Sequence, residues 1–184
     1  MRTMDRRAWL AAGALVALGA CAPAGGAGTG DGVQPRQFTA PIMDAQGRNV
    51  GTLTATQRGA SVQVQVAAMG LPAGTHGAHF HEAGMCDAPA FTTAGAHLNP
   101  TGRQHGLRNP AGPHLGDLPN LTIGADGRGS MEATLAGTLT PGQPPLFDAN
   151  GTAFVIHASA DDMVTDPSGN SGARIACAVV AAPQ

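Results

Sequence analysis

The sequence predicts an all-β fold, an antiparallel sandwich or barrel with two long functional loops. Residues 61–69, SVQVQVAAM, place valine at alternate positions, which is the two-residue period of a half-buried strand. Turn-forming dipeptides separate the apolar segments, at Gln46-Gly47, Arg58-Gly59, Asp126-Gly127 and Asn150-Gly151. No segment sustains the period of 3.6 residues that an amphipathic helix needs, so long helices are not expected.

Residues 1–20 have the features of an export signal. Three arginines precede an apolar run that is too short and too rich in Ala and Gly for a membrane-spanning helix. The run ends in LGAC, which resembles the lipobox of bacterial lipoproteins, where the cysteine becomes the lipidated first residue. We therefore expect lipidation at Cys21 and a periplasmic protein anchored to a membrane. An ordinary secretory signal cleaved nearby is the alternative.

Residues 21–36 predict a flexible tether, because Gly and Ala dominate and apolar periodicity is absent. The folded domain is then expected over residues 37–184. Removal of residues 1–20 takes away three of ten arginines and one of twelve acidic residues, which leaves a formal charge of −4. The chain also lacks Lys and any basic patch. This composition argues against nucleic acid as a partner.

Four further segments predict strands of the domain. Weak alternation marks residues 37–45 and 49–57, and apolar runs mark buried strands at residues 152–158 and 173–181. The strand-like stretch THGAHFHE, residues 75–82, is unusual because it holds three of the seven histidines. This concentration of imidazole side chains indicates metal binding.

Two long stretches interrupt the strand pattern. Residues 83–118 are dense in Gly, Pro, Asn and His, and residues 161–172 read DDMVTDPSGNSG. Loops of this length in a compact domain are usually functional or disordered. Because three more histidines lie in the first stretch, we expect the functional site there.

The histidine spacing indicates two metal sites. His79 and His81 lie two residues apart, so on a strand both rings point to the same face and can bind one ion. The long loop can fold a second set of ligands around another ion, namely His97, His105, His114 and Asp117. His157, in a strand-like run, could return to the first ion. A packed or surface histidine is the alternative at any single position.

Two cysteines remain if Cys21 carries lipid. Cys86 and Cys177 then form an even pair in an exported protein, for which a disulfide is the default. A bond between them would close a loop of about 90 residues and stabilise the fold by about 4–5 kcal/mol in the chain-entropy treatment. Two free thiols are the alternative.

Six ordered fragments carry a family resemblance: HGAHFHEAGMC, AGAHLNP, QHG, PHLGDLPN, VIHASADD and PSGNSGARIACAVV. Together they resemble the copper–zinc superoxide dismutases in their bacterial exported form, over about residues 37–181. The resemblance implies an eight-stranded Greek-key β-barrel, copper and zinc as cofactors, and conversion of superoxide to oxygen and hydrogen peroxide.

The resemblance also implies a ligand set for each metal. Copper would be bound by His79, His81, His97 and His157. Zinc would be bound by His97, His105, His114 and Asp117. The His97 ring would bridge the two metals, and Cys86 and Cys177 match the disulfide of the family.

Four residues acquire further roles by resemblance. Asp161 matches a carboxylate that orients one copper-binding and one zinc-binding histidine from behind. His76 matches a histidine that lies beside the copper site without binding the metal. Arg174 matches an arginine at the mouth of the copper site, where a guanidinium attracts small anions. Catalysis is therefore assigned to Arg174 and His97, with a plain surface charge as the alternative for Arg174.

Two other functions compete with the enzyme. The protein could bind or deliver copper and zinc outside the cytoplasm with little turnover, or it could be a structural lipoprotein. A protein that had lost catalysis should lack a copper ligand, the zinc set or the arginine, and this chain keeps all of them. Superoxide is thus the expected substrate. Steering of this anion would rest on Arg103, Arg108 and Arg174, and a monomer and a homodimer are equally compatible with the sequence.

Overall fold

A computed structural model describes residues 36–139 and 150–180 of the chain. The predicted signal, Cys21 and all of the predicted tether except Arg36 lie outside these residues. The described part contains nine strands and one short 3₁₀ helix, Thr92–Ala94. It contains no helix that is long and apolar enough to cross a membrane. The strands in chain order are β1 (Gln37–Asp44), β2 (Asn49–Arg58), β3 (Ser61–Met69), β4 (Gly74–His76), β5 (Ala78–His81), β6 (Leu121–Ile123), β7 (Arg128–Ala136), β8 (Thr152–His157) and β9 (Arg174–Val180).

The strands form one antiparallel sheet in the order β4-β6-β7-β3-β2-β1-β9-β8-β5. The first and last strands of this order are neighbours in the sequence, because only Gly77 separates β4 from β5. The two edges of the sheet therefore meet, and the sheet forms a near-closed barrel. Beside the β1-β2-β3 meander lie β7 and β9, which reach it through long connections, as in a Greek key.

The strand count differs from the eight implied by the resemblance because one segment changes partner at Gly77. On one side of this residue β4 pairs with β6, and on the other side β5 pairs with β8. The Gly77 N–H donates to Ser159 O at 2.8 Å, and the His157 N–H donates to Gly77 O at 2.9 Å. An added Cβ would lie 2.8 Å from the Ser171 Cβ and 3.3 Å from the Asp161 Cβ. Gly77 thus allows one edge of the sheet to pass into the other.

The strands predicted from alternation are confirmed. The segment at residues 61–69 has the predicted bounds, and β1, β2, β8 and β9 each lie within one residue of theirs. The pattern did not predict β6 and β7, which flank the Asp126-Gly127 turn. In β7 Met131 is buried, and Ala133 and Leu135 are partly buried on the same face, a short alternation that sequence reasoning missed.

Strands β5 and β8 have one face toward the barrel core and the other face outside it. Phe80 and Phe154 lie inside the barrel, with ring centroids 5.7 Å apart, among the other core residues. Their sequence neighbours His79 and His81 point to the opposite face, as does the smaller cluster around Val155 and Cys177. The outer face of these strands is therefore buried beneath the loops, and this layer holds the histidines.

The predicted disulfide is confirmed. Cys86, in the first long loop, is bonded to Cys177 of β9, which lies 91 positions further along the chain. Both cysteines pack with Phe91 and Ala94 on the outer face of the sheet. The bond holds the loop that leads to His97 against the barrel wall.

The closure at Gly77 is testable by adding one methyl group. We expect Gly77→Ala to lower the free energy of unfolding by about 1–3 kcal/mol, because a Cβ at 2.8 Å from Ser171 overpacks a closed junction. Urea unfolding of the disulfide-bonded, metal-free protein measures this change. Gly124→Ala is the matched control, since its Cβ would meet the side-chain oxygen of exposed Asp126 at 3.0 Å. Equal losses in both variants would contradict the role of Gly77.

Candidate metal centre

The edge of β5 brings two candidate ligands from the first long loop, His97 and Asp117, beside its own histidines. The Phe80 N–H donates to Gly116 O and the Leu98 N–H donates to Phe80 O, both at 2.8 Å. Isolated bridges consequently place His97 opposite His81 and Asp117 opposite His79. Because neighbouring residues in extended backbone alternate in direction, all four of these side chains lie on the outer face.

The first group contains four buried histidines, His79, His81, His97 and His157, whose donor atoms lie within 4.8 Å of one another. His157 ends β8, where it follows Val155 by two residues and so shares the outer face. The group therefore contains three residues from the paired strands β5 and β8 and one residue, His97, from the first long loop. It is the set that the sequence predicts for copper.

Each of these rings has one nitrogen engaged by the protein. His79 Nε2 donates to Asp161 at 2.6 Å, and His97 Nδ1 lies 3.2 Å from Asp117 Oδ1. His81 Nδ1 donates to Gly95 O at 3.0 Å, and His157 Nδ1 donates to Gly172 O at 3.1 Å. These contacts determine the orientation of the rings.

The other nitrogen of each ring is buried and lacks a hydrogen-bond partner among the described residues: His79 Nδ1, His81 Nε2, His97 Nε2 and His157 Nε2. Buried polar atoms without a partner are rare and costly. Four imidazole nitrogens that converge in this way are the donor set that copper or zinc accepts. The residues therefore fit a metal ion that they would bind in common.

Burial also keeps three of these rings neutral, those of His79, His81 and His157. It lowers the pKa of His79 to about 4, against the opposing effect of the hydrogen bond to Asp161, and it lowers the pKa of His157 to about 3. For His81 burial lowers the pKa to about 2. At neutral pH the free nitrogens of these three rings are lone pairs rather than N–H groups, as metal ligation requires.

A second group lies on the other side of His97. Three histidine nitrogens surround Asp117 Oδ1, with His97 Nδ1 at 3.2 Å, His105 Nδ1 at 3.0 Å and His114 Nδ1 at 3.4 Å. Tetrahedral zinc at about 2.0–2.1 Å from each ligand places ligand atoms roughly 3.3 Å apart. The observed spacings therefore match the edges of such a site.

His79 also lies within 4.8 Å of His97, His105 and Asp117 by donor atoms. Its Nε2 is occupied by Asp161, and its Nδ1 belongs to the first group. His79 therefore has no nitrogen left for a second ion. His114, whose Nδ1 lies 3.4 Å from His97 Nδ1, is the better fourth ligand.

The charges of the second group favour a cation. Burial by itself would raise the pKa of Asp117 and Asp161, but hydrogen bonds from His105 outweigh it and hold both pKa values well below the usual range. Burial by itself would lower the pKa of His105, but its hydrogen bonds to these carboxylates raise that pKa to about 9. Without metal, a proton on His105 neutralises part of two buried negative charges. A divalent ion would take its place.

Asp161 connects the two groups. Its carboxylate accepts from His79 Nε2 at 2.6 Å and from His105 Nε2 at 3.1 Å, and it also accepts the Met163 N–H. The Asn120 side chain holds the Asp161 backbone by two reciprocal hydrogen bonds of 2.9 Å. The sequence prediction for Asp161 thus corresponds to an observed contact, whereas Asn120 was not predicted although it lies in the fragment PHLGDLPN.

Arg174 lies beside the first group. Its Nη1 donates to Phe91 O and its Nη2 donates to Gly95 O, both at 2.6 Å. After burial, the charge of Arg174 is one of the further causes that lower the pKa of His81 and His157. A cavity of about 520 Å³ opens at this point, lined by Pro89, Ala90, Thr92, Gly172, Ala173 and Arg174. A cation at the wall of this cavity can attract a small anion.

The remaining predicted residues lie at the periphery. His76 is buried with its two ring nitrogens 2.8 Å from His157 O and 2.9 Å from Pro72 O, and it belongs to neither group. Arg103 donates from Nε to Gly112 O at 2.8 Å, and Arg108 donates to Asp162 O at 2.6 Å. Both arginines therefore brace loops, in addition to any effect of their charge on an approaching anion.

Comparison with known proteins places the chain in a family. The family model described as copper/zinc superoxide dismutase matches residues 49–180. The chain belongs to the copper/zinc superoxide dismutase family. A Cu-Zn superoxide dismutase of Caulobacter vibrioides is 40% identical over 148 residues, which cover 77% of this chain and 84% of that protein. One from Aquifex aeolicus is 42% identical over 146 residues, with 77% and 85% covered.

Solved structures of the superoxide dismutase family share the fold. A superoxide dismutase-like protein from Bacillus subtilis superposes with a TM-score of 0.73 at 37% identity, and the match covers 77% of this chain and 97% of that one. The similarity therefore extends over nearly the whole of the solved domain.

Sequence reasoning missed the two backbone carbonyls that orient copper-side rings. Gly95 O accepts from both His81 and Arg174, and Gly172 O accepts from His157. Both glycines have a positive φ, 78° and 79°, which side chains rarely adopt. Each lies two residues before a predicted site residue, His97 or Arg174, so a glycine at that position is the signal that could have been used.

The raised pKa of His105 predicts a pH-dependent zinc affinity. Below about pH 9 the metal-free protein holds a proton on His105, and zinc must displace that proton to bind. We expect the apparent zinc affinity to rise about tenfold per pH unit between pH 7 and 9 and then to level off. Competition with a chromophoric chelator measures it. Copper affinity is the internal control, because burial already keeps His79, His81 and His157 neutral in this range; a zinc affinity independent of pH would contradict the assignment.

Proposed function

We propose that this protein converts superoxide to oxygen and hydrogen peroxide with copper and zinc as cofactors. Two superoxide ions and two protons give one O₂ and one H₂O₂. The observation that supports this most directly is the convergence of four buried, unpartnered imidazole nitrogens beside a second, carboxylate-containing group. The family includes a protein described only as superoxide dismutase-like, so the complete donor set carries more weight than membership alone.

The proposed ligand assignment follows the free ring nitrogens. Copper would be bound by His79, His81, His97 and His157, and zinc by His97, His105, His114 and Asp117. Copper would supply one-electron redox chemistry, and zinc, which has none, would supply charge and rigidity. His97 faces both groups, Nε2 toward the copper side and Nδ1 toward Asp117.

His97 and Arg174 carry the proposed chemistry of the chain itself. His97 Nε2, which faces the copper side, is the atom that would hold a proton and deliver it to superoxide. Arg174 would dock the anion, since its guanidinium stands at the wall of the cavity beside His81 and His157. The carbonyls of Phe91 and Gly95 hold the guanidinium in place. Asp161 would keep His79 and His105 oriented.

A metal-binding or delivery protein with little turnover is not favoured. Such a protein has no need for a bridging ring between two sites or for a fixed cation at the mouth of one of them. The chain has every residue that the proposed enzyme would use, and the contacts described above support their assignment.

The disulfide supports a location outside the cytoplasm, where such bonds form and persist. We propose further that residues 1–20 are a lipoprotein signal, that Cys21 carries the lipid and that residues 21–36 tether the domain, residues 37–184, to a membrane facing the periplasm. Monomeric and dimeric states both remain compatible with the proposal.

Superoxide decay followed by pulse radiolysis tests the activity. Soluble protein from residue 22 onward, disulfide-oxidised and loaded with copper and zinc, should accelerate decay in proportion to bound copper. Enzymes of this family are known to approach the diffusion limit of about 10⁸–10⁹ M⁻¹s⁻¹. Full metal loading with decay no faster than in buffer containing the free metals would instead indicate storage or delivery.

Arg174→Ala should slow superoxide decay several-fold while both metals stay bound, because the docking charge is lost but no ligand is removed. The measurement is the rate constant per bound copper. Arg128→Ala is the control, since it removes the same charge from an exposed position on β7, away from the histidines. Equal rates for the Arg174 variant and the wild type would leave Arg174 with a loop-bracing role only.

A further inference from the structure

A histidine that binds one metal has a second ring nitrogen free to contact the protein. Among the described residues, the proposed ligands differ in the partner of this second nitrogen. His97 would use both nitrogens for metals. For four others the partner is a carbonyl or carboxylate already described: Gly95 O for His81, Gly172 O for His157 and Asp161 for both His79 and His105. Only His114 has no partner assigned above. Ligating histidines almost always donate their second N–H to such an acceptor.

Asp166 is the acceptor that lies nearest to this second nitrogen of His114 among the contacts of the described residues. Its Oδ1 lies 3.7 Å from His114 Nε2, an electrostatic contact rather than a hydrogen bond. The same oxygen accepts the backbone N–H of His105 at 2.6 Å. One carboxylate oxygen therefore lies close to two proposed zinc ligands, at the backbone N–H of His105 and at the ring nitrogen of His114 that does not face Asp117. Asp166 belongs to the second long loop, whereas both histidines belong to the first.

We propose that Asp166 is a positioning residue of the zinc site, which anchors His105 through its backbone and orients the His114 ring through Nε2. Zinc at Nδ1 leaves the proton of His114 on Nε2 and makes that N–H more positive, so a facing carboxylate stabilises the bound state more than the free state. This inference rests on the proposed zinc assignment. It adds a second outer carboxylate, separate from Asp161, that acts on zinc and not on copper.

The expected effect is selective. Loss of an outer partner typically lowers metal affinity 10–100-fold. The side chain of Asp166 is 49% exposed, so water weakens its contact and we expect about tenfold. Asp166→Ala removes both the charge and the acceptor for the His105 N–H. Asp166→Asn keeps an acceptor oxygen but removes the charge, and its affinity should fall between the wild type and the Ala variant.

Asp162→Asn is the matched control. The Asp162 carboxylate lies in the same loop, accepts the N–H groups of Val164 and Thr165 and contacts Asn170, but it contacts no proposed ligand. If Asp166 acted only by stiffening the loop, loss of the Asp162 contacts should lower zinc affinity to the same extent. If Asp166 acts on the histidines, only the Asp166 variants should have a lower zinc affinity.

The experiment measures zinc transfer from the copper- and zinc-loaded full chain to a chromophoric chelator at one fixed pH. The visible spectrum of bound copper and urea unfolding of the metal-free protein are two further readouts. We expect weaker zinc binding in both Asp166 variants, an unchanged copper spectrum and little change in the Asp162 variant. Equal zinc affinity in Asp166→Ala and the wild type would overturn the inference, as would equal losses in the Asp162 variant. A wild-type chain that does not bind zinc would overturn the zinc assignment itself, whereas a zinc-binding, active wild type with unaffected Asp166 variants would overturn this inference alone.

Discussion

The buried carboxylate of Asp161 is the interaction on which the two-site arrangement depends. It receives hydrogen bonds from His79, a strand residue on the copper side, and from His105, a loop residue on the zinc side. A carboxylate taken out of water is stable only when it is paired, and here two rings and one backbone N–H satisfy it. Because the same charge orients both rings, neither proposed site can lose its order without disturbing the other.

The two groups can lie side by side because β5, in the barrel wall, packs into the core with one face and carries candidate ligands on the other. Alternation along β5 sends Phe80 into the core and sends His79 and His81 to the outer face. The core therefore stays free of polar side chains at this point, and the strand carries the ligands on a rigid support. Loops alone would need to order all of the ligands, at a considerable cost in conformational entropy.

The loops are held to this support by contacts that also shape the chemistry. The Cys86–Cys177 bond holds the first loop against β9. The Gly95 carbonyl, in the same loop, accepts from His81 and from Arg174, so it orients one proposed copper ligand and one anion-docking group together. The distance between the docking charge and the copper side is consequently determined by backbone rather than by flexible side chains. Sites built in this way lose precision when the loop moves, even if every ligand is retained.

The sequence by itself predicted the all-β class, most strand positions, the disulfide and candidate residues for two metal sites. Two signals made this possible, the two-residue period of segments such as residues 61–69 and the ordered fragments that carry the family resemblance. The alternation of Met131, Ala133 and Leu135 in β7 escaped prediction, because it spans only five residues and two of the three side chains are only partly buried.

Only the tertiary structure decided which groups lie behind the ligands. Gly95 O, Gly172 O, Asn120 and Asp166 act on rings or loops that are remote from them in sequence, or act through backbone atoms that every residue possesses. Their roles depend on distances between separate segments, as for His105 and Asp166, which lie 61 positions apart in sequence. Side-chain chemistry, spacing and the family resemblance predict candidate ligands, but the direction of each ring follows from the packing of one loop on another.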